Sequence, residues 1–269
     1  MKRGLFLVAV LAAFSCSTQG YYCHSKLNLV TYNVGVFGKY ETDSSPLVAS
    51  ALTCLKADLV SLNELDSCNR RHDTYQIETL SRKLGGWDFH FASAFPYADG
   101  AYGNGVVSRA PVQKRWTLSL PKGEGAEPRS VAVVETKQCI FASVHLDHRS
   151  AEAQLEQVRI LCRWFEEHFA ASRKPVFLCG DMNALPESAT IAALKEHWTL
   201  LSPTDFTFPS RNPVKCIDYI FSLTSARKVE VLRSGVARTV PVGFGGELGG
   251  TLDLSRASDH LPVFIEIKW

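Results

Sequence analysis

Six short stretches carry side chains able to act on an anionic substrate. CGDMN (179–183) sets Asp181 and Asn183 two residues apart, directly after the apolar run PVFL. TYN ends in Asn33, LNE in Glu64 and SVH in His145, each after a run of strand-forming residues. Asp218 lies inside CIDYIF, and Asp259 and His260 are adjacent in SDHLPV. Carboxylates and amides are the hard oxygen donors suited to Mg²⁺ or Mn²⁺. Two histidines and a buried-looking aspartate add an acid–base set.

Each position also has a bland explanation. Asn33 fits a turn, Asp181 and Asn183 fit an Asx-turn, and Asp259–His260 fits a cap. Asp218 is harder to dismiss, because a charge flanked by Ile217 and Tyr219-Ile220-Phe221 must find a partner. What favours chemistry is the shared placement. Asn33, Glu64, His145, Asp181 and Asn183 all fall at or just past the C-terminal ends of expected strands, where α/β proteins collect reactive groups.

The elements that must hold these groups follow from periodicity. Strands are expected at 26–32, 58–64, 87–92, 103–108, 113–120, 130–136, 139–146, 175–181, 215–221 and 261–267. Helices are expected at 46–57, 74–86, from Ser150 to about Phe169, and at 187–197, the third with Ser150 as N-cap and Leu155, Val158, Cys162, Phe165 and Phe169 as its buried stripe. GFGGELGG (243–250) reads as a flexible loop. Sheets packed together with helices outside are the expected architecture.

The 269 residues are 46% hydrophobic and 21% charged, enough for an ordinary core. MKR followed by GLFLVAVLAAF and SCSTQG reads as an export signal over 1–20, too short to span a membrane. Ala13-Phe14-Ser15-Cys16 resembles a lipobox, which would anchor a lipid on Cys16, and cleavage after Ser17 or Gly20 is the rival. Residues 21–269 are then one domain, expected to be periplasmic, outer-membrane-anchored or secreted. No later segment is apolar enough to cross a membrane. Without the signal, 27 basic residues face 27 acidic ones, so no whole-molecule attraction to nucleic acid or anionic lipid is expected. The eight cysteines contain no CxxC pair, which argues against a thiolate zinc site. Cys139, Cys162, Cys179 and Cys216 read as core residues, and Cys54 with Cys68 as a candidate bridge in an oxidising compartment.

TYNVG, LNELD, SVHLDHRS, CGDMN, CIDYIF and SDHLPV, in this order, resemble the endonuclease/exonuclease/phosphatase superfamily over about Lys26 to Trp269. Any one motif is weak and the ordered set is specific. The resemblance implies the deoxyribonuclease I-like fold, an α/β four-layered sandwich of two mixed β-sheets flanked by helices. It implies hydrolysis of phosphate esters with Mg²⁺ or Mn²⁺ as cofactor. Glu64 and Asp259, with Asn33 beside them, match the family's metal site. Asp181 and Asn183 match the pair that holds the attacking water and contacts the phosphate. His260 matches the histidine that acts on the phosphate, Asp218 the acid that orients it, and His145 a second phosphate contact. Asn104, Arg129 and Arg149 sit on loops near these motifs as candidate substrate contacts, with a solvated face equally open to each arginine.

The substrate is less legible. Cys216-Ile217-Asp218-Tyr219 departs from the inositol-polyphosphate 5-phosphatases, and Ala184-Leu185-Pro186 from the abasic-site endonucleases. The chain resembles most the exported bacterial members. A monomeric phosphodiesterase acting on nucleic acid, phospholipid or a sugar phosphate is expected. A phosphomonoesterase of the same superfamily and a non-catalytic binding protein on this fold are the alternatives, and a structural surface lipoprotein finds support only in Cys16.

Overall fold

The computed structural model describes residues 26–244 and 247–269. The export signal, Cys16, Cys23, Gly245 and Gly246 lie outside the described residues. In chain order the elements are β1 (Lys26–Asn33), α1 (Ser45–Cys54), β2 (Leu59–Ser67), α2 (Gln76–Lys83), β3 (Asp88–Tyr97), β4 (Gly100–Ser108), β5 (Lys114–Leu120), β6 (Arg129–Glu135) and β7 (Ile140–His145). They continue with α3 (Ala151–Phe169), β8 (Val176–Asp181), α4 (Ala189–Lys195), β9 (Trp198–Leu200), β10 (Asp218–Leu223), β11 (Glu230–Val236), β12 (Thr239–Phe244), β13 (Glu247–Asp253) and β14 (Val263–Lys268).

Two six-stranded sheets face one another, ordered β11-β14-β1-β2-β4-β3 and β5-β6-β7-β8-β10-β9. Both are mixed: β1–β2 and β7–β8 pair in parallel, and their other neighbours are antiparallel. Helices α1 and α2 lay Val48, Leu52, Ile77 and Leu80 on Val30, Tyr32 and Leu62 of the first sheet. Helices α3 and α4 lay Val158, Leu161, Phe165 and Ile191 on Val133, Ala142 and Leu178 of the second. Between the sheets, Leu29, Leu59 and Val106 meet Phe141, Phe177 and Ile220. The four-layered α/β sandwich expected from the motifs is the fold observed. Strands β7, β8 and β10 are buried along their whole length, because a helix layer covers one face and a sheet the other.

A polar seam crosses the inter-sheet core toward one edge. Ser61 Oγ donates to Ser143 Oγ at 2.8 Å, and Ser143 Oγ to the Leu62 carbonyl at 3.1 Å. Fully paired buried polar groups of this kind lock two layers in one register.

Several expectations need correction. GFGGELGG is flanked by two paired strands, β12 and β13, so its ends belong to a hairpin rather than to a loop. Backbone pairing needs no side chains, so glycine content hid it. Strands β9 and β11 also escaped notice; β9 is three residues long, and β11 carries mostly exposed side chains. The strand expected at 215–221 begins only at Asp218. On α3 the buried face is turned to include Ala153, Gln154, Gln157 and Leu161, leaving Leu155 and Phe169 half-buried. Cys54 and Cys68 do not form the expected bridge and are free thiols among the described residues, and Cys139, Cys162, Cys179 and Cys216 are buried.

Candidate active site

Strand pairing builds the centre of the site. Parallel β7 and β8 put His145 opposite Asp181, and antiparallel β10 puts Asp218 opposite the same Asp181. From the other sheet, parallel β1 and β2 set Asn33 beside Asn63. Asn63 then spans the gap between sheets: its Nδ2 donates to the Val144 carbonyl at 2.8 Å, and its Oδ1 accepts from the Asp181 amide at 2.9 Å.

Local sequence explains how each group is aimed. Gly180 has φ 148°, and a Cβ there would run into the Val144 carbonyl, so only glycine lets β8 lie this close to β7. The Asp181 Oδ1 then accepts from the Asn183 amide at 2.9 Å, the Asx-turn read from CGDMN, and Asn183 takes φ 49°. Glu64 takes φ 57° at a register shift between Leu62 and Leu65, a bulge that re-aims its carboxylate. The SDH turn is tied to β1 by Ser258 Oγ, which donates to the Asn33 carbonyl at 2.7 Å.

Asp181, Asp218 and His260 are buried and offer ligand-type atoms within 4.8 Å of one another. His260 Nδ1 donates to Asp218 Oδ2 at 2.9 Å, and Thr207 Oγ1 donates to the same oxygen at 2.6 Å. His260 Nε2 then faces Asp181 Oδ2 at 3.6 Å, and His145 Nε2 faces that oxygen at 3.5 Å. Burial pushes the Asp181 carboxyl up to about 7, against the pull of His260 and with the push of Asp218. Burial pulls His260 down, but the Asp218 and Asp181 carboxylates outweigh it and hold the imidazole up at about 10. Burial and then the Arg129 charge keep His145 well below the usual histidine range, so it is neutral. Asp181 and His260 are both raised while His145 is lowered, and such perturbed groups gathered in one place are characteristic of acid–base sites.

Beside this buried line lies a second acidic pair. Glu64 Oε2 and Asp259 Oδ2 each stand 3.3 Å from the Lys39 ammonium. Burial lowers the Lys39 affinity for its proton, but the two carboxylates more than restore it. Two hard-oxygen acids that already converge on one cation fit Mg²⁺ or Mn²⁺. Asn33 behaves differently from a free ligand. Its Nδ2 donates to Glu64 Oε1 at 3.1 Å and to Asp181 Oδ2 at 3.0 Å, while its Oδ1 accepts from the Gly35 amide. It links the two acidic groups, while its amide oxygen is engaged by the Gly35 amide.

A cavity of about 460 Å³ is lined by Glu64, Asp181, Asn183, Asp259 and His260, together with Arg129 and His145. Arg129 is buried; its Nη1 pairs with Glu127 at 3.0 Å and its Nη2 donates to His148 Nδ1 at 3.1 Å. Its Nε has no hydrogen-bond partner among the described residues. Two other expected contacts fall elsewhere. Asn104 is buried between the sheets, donating to the Ser130 carbonyl at 2.7 Å, so it braces the fold and does not line the cavity. Arg149 is exposed outside the cavity lining, because its backbone amide caps Asp147 and the chain there turns into α3. His148, its neighbour, lines the cavity instead.

Lys39, Asn63, Thr207, Tyr102, Glu127 and Phe208 were not anticipated. Asn63 sits in the quoted LNELD and could have been flagged as a polar residue inside a buried strand. Nothing in GKYE or DFTFP marks Lys39, Thr207 or Phe208, whose ring lies 4.8 Å from that of His260.

Residues 30–260 match the model of the Endonuclease/Exonuclease/phosphatase family. YbhP of Escherichia coli (strain K12) is 28% identical over 197 residues, which are 65% of this chain and 76% of that protein. Among solved structures, the mannosyl-6-phosphatase Bt3783 of Bacteroides thetaiotaomicron superposes with a TM-score of 0.72 at 18% identity, over 90% of this chain and 100% of that one. D. rerio TDP2 complexed with single strand DNA product superposes at 0.65 with 17% identity, over 90% of this chain and 99% of that one. At such identities the structures share the fold.

Proposed function

Because this chain belongs to the endonuclease/exonuclease/phosphatase family, whose members hydrolyse phosphate esters, we propose that it is a divalent-metal-dependent phosphodiesterase of the cell envelope or exterior. The observation that carries the catalytic reading is the buried line Asp218–His260–Asp181, whose His260 and Asp181 line one cavity. Glu64 and Asp259 would hold Mg²⁺ or Mn²⁺, which when bound offsets the negative charge of the phosphate oxygens.

Asp181, with a carboxyl near 7, is the base: its Oδ2 accepts a proton from the attacking water. Asn183, held in the same turn, keeps the water and a phosphate oxygen in place. His260 remains an imidazolium up to about 10. It stands only 3.6 Å from Asp181, so both act on the same face of phosphorus. In-line displacement breaks the ester P–O bond on the opposite face, where the leaving alkoxide is protonated by solvent, to which Asp181 returns the proton it took. His260 therefore donates to a non-bridging oxygen, with Asp218 holding its ring in place. Neutral His145 and the Arg129 guanidinium bind further phosphate oxygens.

A cavity of this volume suits one compact headgroup, nucleotide or sugar around the phosphate. A phosphomonoesterase is the second reading. It is favoured by the grouping of Arg129, His145 and His148 along the cavity wall, since a dianionic monoester needs more donors and positive charge than a diester. Export and a lipid on Cys16 belong to the proposal and rest on the N-terminal pattern; a monomeric state belongs to it as well.

The test is a screen of purified mature protein with Mg²⁺ or Mn²⁺ against plasmid DNA, RNA, bis-p-nitrophenyl phosphate, p-nitrophenyl phosphate, sphingomyelin and inositol phosphates. Cleavage of diesters is expected. Cleavage of monoesters alone overturns the diester reading, and no hydrolysis of any of them favours a binding protein. Mass spectrometry of the native N-terminus decides the lipid.

A further inference from the structure

Lys39 does not belong to any of the motifs, yet its side chain is seated with care. It follows a tight turn over Gly35–Phe37 and lays its stem across Gly35. A Cβ on Gly35 would collide with Lys39 Cγ and stand 2.7 Å from its Cε, so a glycine is needed for the lysine to pass. Gly35 also has φ 52°, and its amide is held by Asn33 Oδ1 at 3.1 Å. The turn that starts at a site residue thus carries the lysine back over itself. The ammonium ends 3.3 Å from Glu64 Oε2 and 3.3 Å from Asp259 Oδ2, with the Lys39 side chain about one-third exposed.

We propose that Lys39 is a resident counter-cation of the Glu64–Asp259 pair, which a divalent ion must displace in order to bind. The inference rests on the reading of Glu64 and Asp259 as metal ligands. With no metal, two carboxylates brought together by the fold would repel one another, and the ammonium between them removes that repulsion. A bound metal would compete with the ammonium for the same two oxygens, and the two positive charges would repel one another. The flexible four-carbon stem and the open side of the lysine give it a way out to solvent. Lys39 therefore orders the site while it waits and sets the divalent-ion concentration at which it loads.

The experiment is isothermal titration of the metal-free chain with Mn²⁺ alone, together with thermal melting in EDTA. Lys39→Met keeps the apolar stem over Gly35 and removes the charge; Lys39→Gln is the polar control, and Glu64→Gln identifies the site. Both Lys39 variants should bind Mn²⁺ about tenfold more tightly, the size expected for removing two partly exposed ion pairs. Both should melt at lower temperature than the unaltered chain when no metal is present. Unchanged or weaker Mn²⁺ binding, or unchanged melting in EDTA, overturns the inference alone. Absence of any Mn²⁺ uptake by the unaltered chain that Glu64→Gln removes overturns it together with the metal reading.

Discussion

His260 Nε2 stands 3.6 Å from Asp181 Oδ2, and both residues line the cavity. Between about 7 and about 10 the two groups carry opposite charges, Asp181 as carboxylate and His260 as imidazolium. That window defines when the pair can work, because the base must be ionised and the donor must keep its proton.

The pH profile of kcat/KM should therefore be a bell. Activity should climb as pH rises through about 7, where Asp181 ionises, and fall as it approaches about 10, where His260 loses its proton. Asp218→Asn removes the charge that most raises His260, so the alkaline limb should move to lower pH. An alkaline limb that stays in place in this variant would show that His260 is not the group seen.

Asp181→Ala and His260→Ala should each reduce hydrolysis by about 10²-fold or more, the usual size of a lost acid–base group. Circular dichroism and melting should show the fold intact, since both side chains lie at the cavity and not in the apolar clusters. Full activity of either variant sinks the assignment.

EDTA should abolish hydrolysis and Mg²⁺ or Mn²⁺ should restore it. Glu64→Gln should raise the metal concentration needed for half activity, because it removes one of the two charges that converge on the cation. Equal metal dependence in Glu64→Gln and the unaltered chain would place the ion elsewhere.

Asp66 makes a prediction about stability alone. Its fully buried carboxylate accepts two bonds from Arg71, each 2.8 Å, and faces His72 Nδ1 at 2.6 Å. Burial raises its affinity for a proton, but these donors outweigh burial and hold the carboxyl below its usual value. A lowered carboxyl contributes stability above the unfolded value near ~4 and loses it as pH falls through the folded one. Asp66→Asn should lower stability by about 1–3 kcal/mol near neutral pH, discounted because Arg71 is partly exposed. In urea denaturation the difference should shrink as pH drops below about 4.

Gly180→Ala should be among the most damaging single changes, on the order of 3 kcal/mol or more, because backbone would have to move. The added Cβ meets the Val144 carbonyl, so β7 and β8 would have to part where His145 faces Asp181. Melting and activity should fall together; a variant that melts normally would show that the strands can shift.

The residues around CGDMN show where sequence is sufficient. Strand followed by Asx-turn is a local matter of apolar run, Gly180, Asp181 and Asn183, and the chain takes that conformation where the pattern says it should. The order of the six motifs likewise carries the family and the layered fold, because each motif lies on or beside a strand of its own: TYN, SVH and CGD close β1, β7 and β8, LNE lies within β2, Asp218 opens β10 and SDHLP leads into β14. Which strand ends meet is a different question. Asp181 and Asp218 are neighbours only because β8 and β10 pair across a stretch that holds α4 and a long loop. Asn33 reaches Asp181 from the opposite sheet, 148 residues away in sequence. Lys39, Asn104 and Arg149 show the limit most plainly, since a side chain's direction depends on the turn that carries it and on what packs against it. The lysine that no motif marks is folded back into the acidic pair, the asparagine in a glycine-rich strand is used up between the sheets, and the arginine beside a site histidine turns to solvent. Residue types and strand ends could be read along the chain; their convergence on one cavity belongs to sheet pairing and packing, which are set by contacts between distant segments.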